Sequence, residues 1–211
     1  MKKKLILFDF DGTIADTFPY IIILYNKFGS AYGFGTISEN ELERLKGKTI
    51  PELMKEFNVS LFRLPFLIGK VRRELYSQID KVKPFPRIKK VIETLKKRDL
   101  TLGVVSSNSK ENIERFFKKN TMRGFDFIHC ERNIFGKDKV FENIIRKYGF
   151  PKEDVIYIGD EVRDIEACRK AGIDVISVTW GFNKKELLKK ENPTLIADTP
   201  EKLLCLLTNQ I

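Results

Sequence analysis

Short apolar runs rich in β-branched residues alternate along the chain with segments whose apolar residues recur at helical spacing. The apolar runs predict strands at 5–11, 100–108, 125–130, 154–160, 174–180 and 194–197. The intervening segments predict helices at 87–98, 110–119, 139–149, 163–173, 183–190 and 200–207. Such alternation indicates βαβ units in an α/β fold with a mostly parallel sheet. A ligand site is then expected at the carboxyl ends of the strands.

One long segment, 17–82, interrupts this alternation directly after the first strand. It contains helix-like stretches at 20–28, 39–47, 50–57 and 65–79, with a Gly/aromatic loop at 29–36. Pro-Phe-Pro at 84–86 then forms a rigid return. We therefore expect a core domain, 1–16 with 83–211, and an inserted helical domain, 17–82. Aromatic residues either fill the small core of this insert or line it: Tyr20, Tyr25, Phe28, Tyr32 and Phe34.

Polar residues follow three strands at the point where each strand ends. They are Asp9 and Asp11, then Ser106, Ser107 and Asn108, then Asp160, Glu161 and Asp164. In a parallel sheet these ends converge, and close carboxylates would repel one another and raise a pKa. A hard divalent cation removes the conflict, and oxygen ligands favour Mg²⁺. The pattern predicts that Asp9, Asp11 and Asp160 share a Mg²⁺ ion that faces a phosphate-bearing ligand.

A metal-bound carboxylate beside a second acid suits phosphoryl transfer through an aspartyl phosphate. One aspartate attacks phosphorus, and the other protonates the leaving oxygen and then deprotonates water. Gly12 would let backbone amides approach the phosphate oxygens, and Ser106 would donate a hydrogen bond to them. Lys137, just before the helix predicted at 139–149, would neutralise charge on the phosphate and on the nucleophile.

Each of these residues also has a simpler interpretation. Asp-Gly is a common turn at the end of an edge strand. Ser106 precedes a helix start that Asn108 or Ser109 would cap. Asp164 suits the first turn of a helix, where the dipole favours an acid, and a lysine in position 137 is ordinarily solvated.

The ordered set of motifs resembles the haloacid dehalogenase-like (HAD) hydrolase superfamily. It comprises DFDGT (9–13), Ser106, Lys137 and GDEVRD (159–164), and its span covers most of the chain. The insert resembles the C1-type cap of the phosphoglycolate-phosphatase-like branch. This resemblance implies a Rossmann-like core with a cap domain. It also implies Mg²⁺-dependent hydrolysis of a small phosphorylated metabolite through an aspartyl phosphate.

The resemblance also implies a role for each matching residue. Asp9 would be the nucleophile and a Mg²⁺ ligand, Asp11 the general acid/base with a backbone-carbonyl bond to the metal, and Asp160 a further ligand. Ser106 would hold the phosphoryl group, and Lys137, with Lys139 as the alternative, would neutralise charge. Asp164 and Glu161 would assist from behind the ligands or through water. Contacts to substrate are expected from Gly12, Ser107, Asn108 and Lys48.

Two departures from relatives refine the expected reaction. Asp11 is the acid that true haloacid dehalogenases lack, so its presence favours phosphoryl transfer. Ile21 and Ile50 occupy the positions of a cap histidine and a cap arginine in β-phosphoglucomutase-like members, which favours transfer to water. Lys48 lies with Lys46 in a cap loop that commonly faces the active site, although a solvated loop is equally compatible. A phosphomutase or phosphonate hydrolase on the same core, and a non-catalytic anion-binding protein, are the alternatives.

Composition narrows the range of partners. The chain has 39 Lys and Arg against 29 Asp and Glu, a net charge of +10, which fits a solvated surface or the steering of a small anion. The basic residues do not interleave with aromatics, so we expect no specific nucleic-acid partner. Three scattered cysteines argue against disulfides or thiolate metal sites and for a reducing compartment. We expect a cytoplasmic protein without a membrane span, as a monomer or weak homodimer.

Overall fold

The computed structural model describes residues 3–32, 35–131, 133 and 135–210. Within them, six strands form one parallel sheet in the order β3-β2-β1-β4-β5-β6. The strands are β1 (Leu5–Phe8), β2 (Thr101–Ser106), β3 (Phe127–Cys130), β4 (Val155–Gly159), β5 (Asp174–Val178) and β6 (Leu195–Ala197). The expected parallel α/β sheet is confirmed.

Ten α-helices accompany this sheet in the described residues. They are α1 (Phe18–Tyr32), α2 (Leu42–Leu45), α3 (Ile50–Glu56), α4 (Leu64–Gln78), α5 (Ile88–Lys96), α6 (Lys110–Lys119), α7 (Lys137–Tyr148), α8 (Val162–Ala171), α9 (Lys185–Lys190) and α10 (Pro200–Gln210). None of the helices in the described part of the chain is both long enough and apolar enough to span a membrane.

Strand β1 lies at the centre of the sheet and is buried on both faces. Its alternate side chains enter two separate cores, because successive residues of a strand point to opposite faces. Ile6 and Phe8 pack in a cluster that includes residues of α5, α6 and α10. Leu5 and Leu7 pack in a second cluster with residues of α7 and α8. Helices therefore cover both faces, and the polar residues that follow β1 emerge at the centre of the sheet edge.

The helical insert lies between β1 and β2, as expected. Its two connections to the core run side by side: Ala15 pairs antiparallel with Pro84. The Asp16 amide donates to the Lys83 carbonyl at 2.9 Å, and the Phe85 amide donates to the Ile14 carbonyl at 3.0 Å. A paired ribbon of this kind fits a hinge between the insert and the core. The boundaries 17–82 remain our proposal for the inserted domain.

Several predicted boundaries were wrong for identifiable reasons. The first strand ends at Phe8 rather than at 11, because the amides of Ile14 and Ala15 both donate to the Phe10 carbonyl and close a turn there. Residues 29–32 of the predicted loop extend α1, where burial of Gly29 outweighs its weak helix propensity. Residues 33 and 34 lie outside the described residues. The predicted helix 39–47 is a 3₁₀ turn followed by the short α2.

Candidate active site

The predicted site residues converge where the parallel strands end. β1 pairs with β2 on one side and with β4 on the other, all in parallel. The chain leaves β1 for β2 and β3 on one side and later returns to β4 on the other. The segments after β1, β2 and β4 therefore meet at a topological switch point, where open α/β sheets place their ligands.

Lys137 lies inside this convergence. As the first residue of α7 it is 1% exposed, and its ammonium donates to Asp9 Oδ2 at 2.6 Å, to Asp164 Oδ1 at 2.7 Å and to the Tyr157 hydroxyl at 2.6 Å. Three partners use all three protons of the ammonium group. Lys139, the alternative lysine, is exposed. The geometry thus favours Lys137 over Lys139 as the lysine of this site.

Three buried carboxylates form a compact cluster beside this lysine. Asp9, Asp160 and Asp164 each offer an oxygen, and these atoms lie within 4.8 Å of one another. Burial raises the pKa of Asp9 to about 6, an effect that Lys137 opposes and Asp164 reinforces. Burial, followed by the negative charge of Glu161, raises the pKa of Asp160 well above its usual range. Such carboxylates gain strongly from an additional cation.

The donor set fits a hard divalent cation. Lys137 contacts two of the three carboxylates, and the nearby Arg163 is paired with Glu161, so negative charge in the cluster is left uncompensated. Asp160 Oδ1 accepts from the Thr13 hydroxyl at 2.8 Å and Oδ2 accepts from the Phe182 amide at 2.7 Å, and each oxygen retains a second lone pair for a metal. These contacts hold Asp160 in place, and all-oxygen ligands suit Mg²⁺.

The structure adds detail to two of the expected metal-site roles. Asp164 was expected behind the ligands, yet it is part of the cluster, with one oxygen on Lys137 and the other accepting the Glu161 amide at 3.1 Å. The Asp11 carboxylate does not belong to this cluster, which leaves the backbone carbonyl as the route by which Asp11 would reach a metal. Glu161 is buried, and its carboxylate accepts from Arg163 Nε at 2.7 Å.

Gly12 is required by its neighbour Asp160. Its φ of +75° disfavours L side chains, and a Cβ at this position would overlap the Asp160 carboxylate. Gly181, after β5, approaches the same carboxylate equally closely. That Gly12 lets backbone amides approach a phosphate stays a prediction, and its own amide donates to the Ala15 carbonyl at 2.9 Å. The glycine thus makes room for Asp160.

Asp11 lies apart from the metal cluster and is held by the segment after β2. It is half-buried, its Oδ1 accepts from Asn108 Nδ2 at 3.0 Å, and burial raises its pKa. Ser106 is fully buried, and its Oγ accepts from the Asn108 amide at 3.0 Å. Of the two candidate caps, Ser109 is the one that caps α6, because it accepts from the Asn112 amide.

A cavity of about 280 Å³ adjoins the site between the core and the insert. On the core side it is lined by Asp11, Ser107, Asn108, Glu161, Arg163, Phe182 and Asn183. Lys48 also lines it, but its ammonium is paired with Glu56 of the same insert. Asp9 does not line the cavity and is only 1% exposed. Asp11, Ser107 and Asn108 therefore form part of the cavity wall, whereas Asp9 lies buried behind it.

Several residues of the site were not predicted, Arg163 and Gly181 among them. Thr13 supports Asp160, Tyr157 supports Lys137, and the loop after β5 supplies Phe182 and Asn183. Tyr157 could have been found, since a hydroxyl in the middle of an apolar strand needs a buried partner. Thr13 is the last residue of the first motif, DFDGT, but no role was assigned to it. Phe182 and Asn183 carry no local signal.

Comparisons with known proteins agree with this geometry. The family described as "Haloacid dehalogenase-like hydrolase" matches residues 6–178. The phosphoglycolate phosphatase of Synechococcus elongatus is 31% identical over 200 residues, which cover 94% of this chain and 94% of the relative. The phosphoglycolate phosphatase of Aquifex aeolicus is 25% identical over 212 residues, covering 99% of this chain and 98% of the relative.

A solved structure shows the same fold. The crystal structure of a predicted phosphatase from Clostridium acetobutylicum superimposes with a TM-score of 0.84 at 20% identity, over 99% of this chain and 100% of the other. The match to the family covers well over half of the residues, and the described structure places its motif residues at one sheet edge. The chain therefore belongs to the haloacid dehalogenase-like hydrolase family, among members that resemble phosphoglycolate phosphatases.

Proposed function

We propose that this protein is a Mg²⁺-dependent phosphatase that hydrolyses a small phosphomonoester through an aspartyl phosphate on Asp9. The observation that carries the proposal is the contact of the buried Lys137 ammonium with both Asp9 and Asp164, beside Asp160. A lysine among paired carboxylates keeps the nucleophile ionised and compensates the charge of an incoming phosphate. The phosphoglycolate phosphatases among the relatives make phosphoglycolate the first substrate to test.

In the first step, the Asp9 carboxylate attacks phosphorus and the bond to the leaving alcohol breaks. Asp11 gives its proton to the departing oxygen, for which a raised pKa suits it because a larger fraction is protonated near neutral pH. Ser106, oriented by the Asn108 amide, donates its hydroxyl to the phosphoryl group. Mg²⁺ bound by Asp9, Asp160 and the Asp11 carbonyl would neutralise charge on the phosphoryl oxygens.

In the second step, the ionised Asp11 takes a proton from a water molecule that attacks the phosphorus of the aspartyl phosphate. The P–O bond to Asp9 breaks, phosphate leaves, and both carboxyl groups return to their starting states. Lys137 stays charged throughout and stabilises the Asp9 carboxylate as the leaving group. Asp164 and Tyr157 hold the ammonium group in place for this task.

Water is the acceptor that the insert favours. Ile21 and Ile50, which stand where mutase-like relatives carry a histidine and an arginine, both line the cavity with apolar side chains. Neither can act as a base or bind a second phosphate. We therefore infer hydrolysis rather than phosphoryl transfer within a sugar phosphate.

Entry of substrate requires motion of the insert, because Asp9 is 1% exposed. The paired ribbon at 14–16 and 83–85 would act as the hinge, and closure would exclude water from the acyl phosphate. The substrate would be a diffusible phosphorylated metabolite, and the protein would act on it in the cytoplasm as a monomer or weak homodimer.

The test is phosphate release from phosphoglycolate and from a panel of phosphorylated metabolites, in Mg²⁺ and in EDTA. Activity should depend on Mg²⁺ and disappear in Asp9→Asn. Asp99→Asn is the matched control, because Asp99 is exposed and its φ of 57° is one that asparagine tolerates. Phosphatase activity that survives in Asp9→Asn would refute the covalent mechanism.

A further inference from the structure

The cavity beside the site has two chemically different parts. The core supplies mostly polar residues, which include Asp11, Ser107 and Asn108. The insert supplies the rest, and all of its lining residues except Lys46, Lys48 and Arg72 are apolar or aromatic. Small-molecule sites combine such an apolar surface with a few placed polar groups.

The apolar lining comes from several insert helices. Ile22 of α1, Leu53 of α3 and Val71 of α4 all contribute and are all only half-buried. Side chains that form a fully packed core are more completely removed from solvent, as Ile79 is at 0%. The insert thus offers an accessible apolar surface that its own helices do not cover.

Tyr25 provides an independent sign that a ligand belongs there. Its ring lines the cavity, and its hydroxyl is buried without a hydrogen-bond partner among the described residues. Buried hydroxyl groups are nearly always hydrogen-bonded in folded proteins. A polar atom of a bound molecule would satisfy this hydroxyl.

We propose that the alcohol part of the substrate is an elongated, largely apolar group that occupies this cavity while its phosphate faces Asp9 and Lys137. The inference rests on the proposed phosphatase function and names the substrate class of the same site. Asp11, which lines the cavity, would protonate the bridging oxygen where the apolar group joins the phosphate. Phosphoglycolate, with a short charged alcohol part, would leave the apolar lining uncovered.

A series of ethyl, butyl and hexyl phosphates tests this assignment, with phosphoglycolate as the reference. Each added methylene that leaves water should raise kcat/KM roughly fourfold, until the cavity is filled. Hexyl phosphate should therefore exceed ethyl phosphate by about two orders of magnitude. A flat series, or phosphoglycolate as the best substrate, would overturn the inference.

Two variants of α1 locate the effect. Ile22→Trp fills the cavity, whereas Ile23→Trp places the same side chain on the neighbouring residue, which is 63% exposed. Ile22→Trp should lower the ratio of kcat/KM for hexyl phosphate to kcat/KM for ethyl phosphate by tenfold or more, whereas Ile23→Trp should leave this ratio unchanged. Val71→Phe repeats the test from α4, and circular dichroism with a cooperative thermal transition shows in each case that the variant is folded.

The outcomes separate this inference from the proposed function. If no phosphomonoester is hydrolysed by the wild-type protein with Mg²⁺, the phosphatase assignment fails. If hydrolysis occurs, but Ile22→Trp and Ile23→Trp affect hexyl phosphate equally, the phosphatase assignment stands and the apolar alcohol site is refuted.

Discussion

Replacing Lys137 with methionine removes the one ammonium group found to contact both Asp9 and Asp164 in the described structure. The change keeps most of the side chain's volume, so its main effect is electrostatic. Both contacts are short, 2.6 Å and 2.7 Å, and the lysine is 1% exposed, so solvent cannot replace the lost charge. Removing one member of a buried ion pair destabilises a protein by about 3–5 kcal/mol.

The effect of this variant should depend on pH. The wild-type pKa of Asp9 is already raised to about 6, and loss of the Lys137 charge raises it further. A folded-state pKa above the unfolded value gives stability at low pH that is lost as pH rises through the folded pKa. Because the pKa of Asp9 is higher in the variant, the variant loses stability over a wider pH interval than the wild-type protein does. The difference in the free energy of unfolding should therefore grow as pH rises above about 6 and narrow as pH falls towards 5.

Urea unfolding in EDTA at several pH values measures this difference, and phosphate release with Mg²⁺ measures activity. Lys139→Met is the control, since Lys139 is exposed on the same helix and its loss should change the free energy of unfolding by no more than about 0.5 kcal/mol. Equal stability and equal activity of the two variants would refute the role given to Lys137. A difference that is constant from pH 5 to 8 would refute its electrostatic origin.

Three further predictions concern Asp11, the metal and Gly12. Asp11→Asn should lower kcat by about 10²- to 10⁴-fold for alkyl phosphates. The loss should be smaller for p-nitrophenyl phosphate, because p-nitrophenolate leaves without protonation. An equal loss of kcat for both kinds of substrate would contradict the role of Asp11 as the acid. Adding Mg²⁺ at about 100 times its Kd should stabilise the protein against unfolding by about 2.7 kcal/mol at pH 8, as measured by calorimetry. The gain should be smaller at pH 5, because protons compete with Mg²⁺ for the Asp9 carboxylate, whose pKa is about 6. Gly12→Ala and Gly149→Ala introduce similar backbone strain, at φ +75° and +72°. Of these two glycines only Gly12 adjoins a carboxylate, that of Asp160, so only Gly12→Ala should abolish activity. Equal activities of the two variants would contradict the packing of Asp160 against Gly12.

Local sequence signals were sufficient for many elements of the core. α6 was predicted at 110–119 and has those bounds, because a serine cap precedes a strongly amphipathic segment. The first strand was recognised, but its end was misplaced by three residues. The turn that ends it depends on two amides that share the Phe10 carbonyl, which the apolar pattern does not encode.

The site was predictable where its residues directly follow strands. Asp9 and Asp160 were identified because parallel strands bring their carboxyl ends together, whereas the role of Lys137 came from the family resemblance; the structure places Lys137 in contact with Asp9, and Asp9 and Asp160 in one cluster. The Phe182 amide reaches Asp160 only because β5 pairs beside β4. The cavity depends on how the helices of the insert pack, so no short sequence pattern predicts it.

The most direct measurement is the detection of the phosphorylated residue. In Asp11→Asn, p-nitrophenyl phosphate should still phosphorylate the protein, whereas hydrolysis of the acyl phosphate is slowed. Borohydride reduction converts an aspartyl phosphate to homoserine, which mass spectrometry can assign to a residue. We predict homoserine at position 9 in the presence of Mg²⁺. Turnover that continues without any modification of Asp9, or with the phosphoryl group on another residue, would contradict the account.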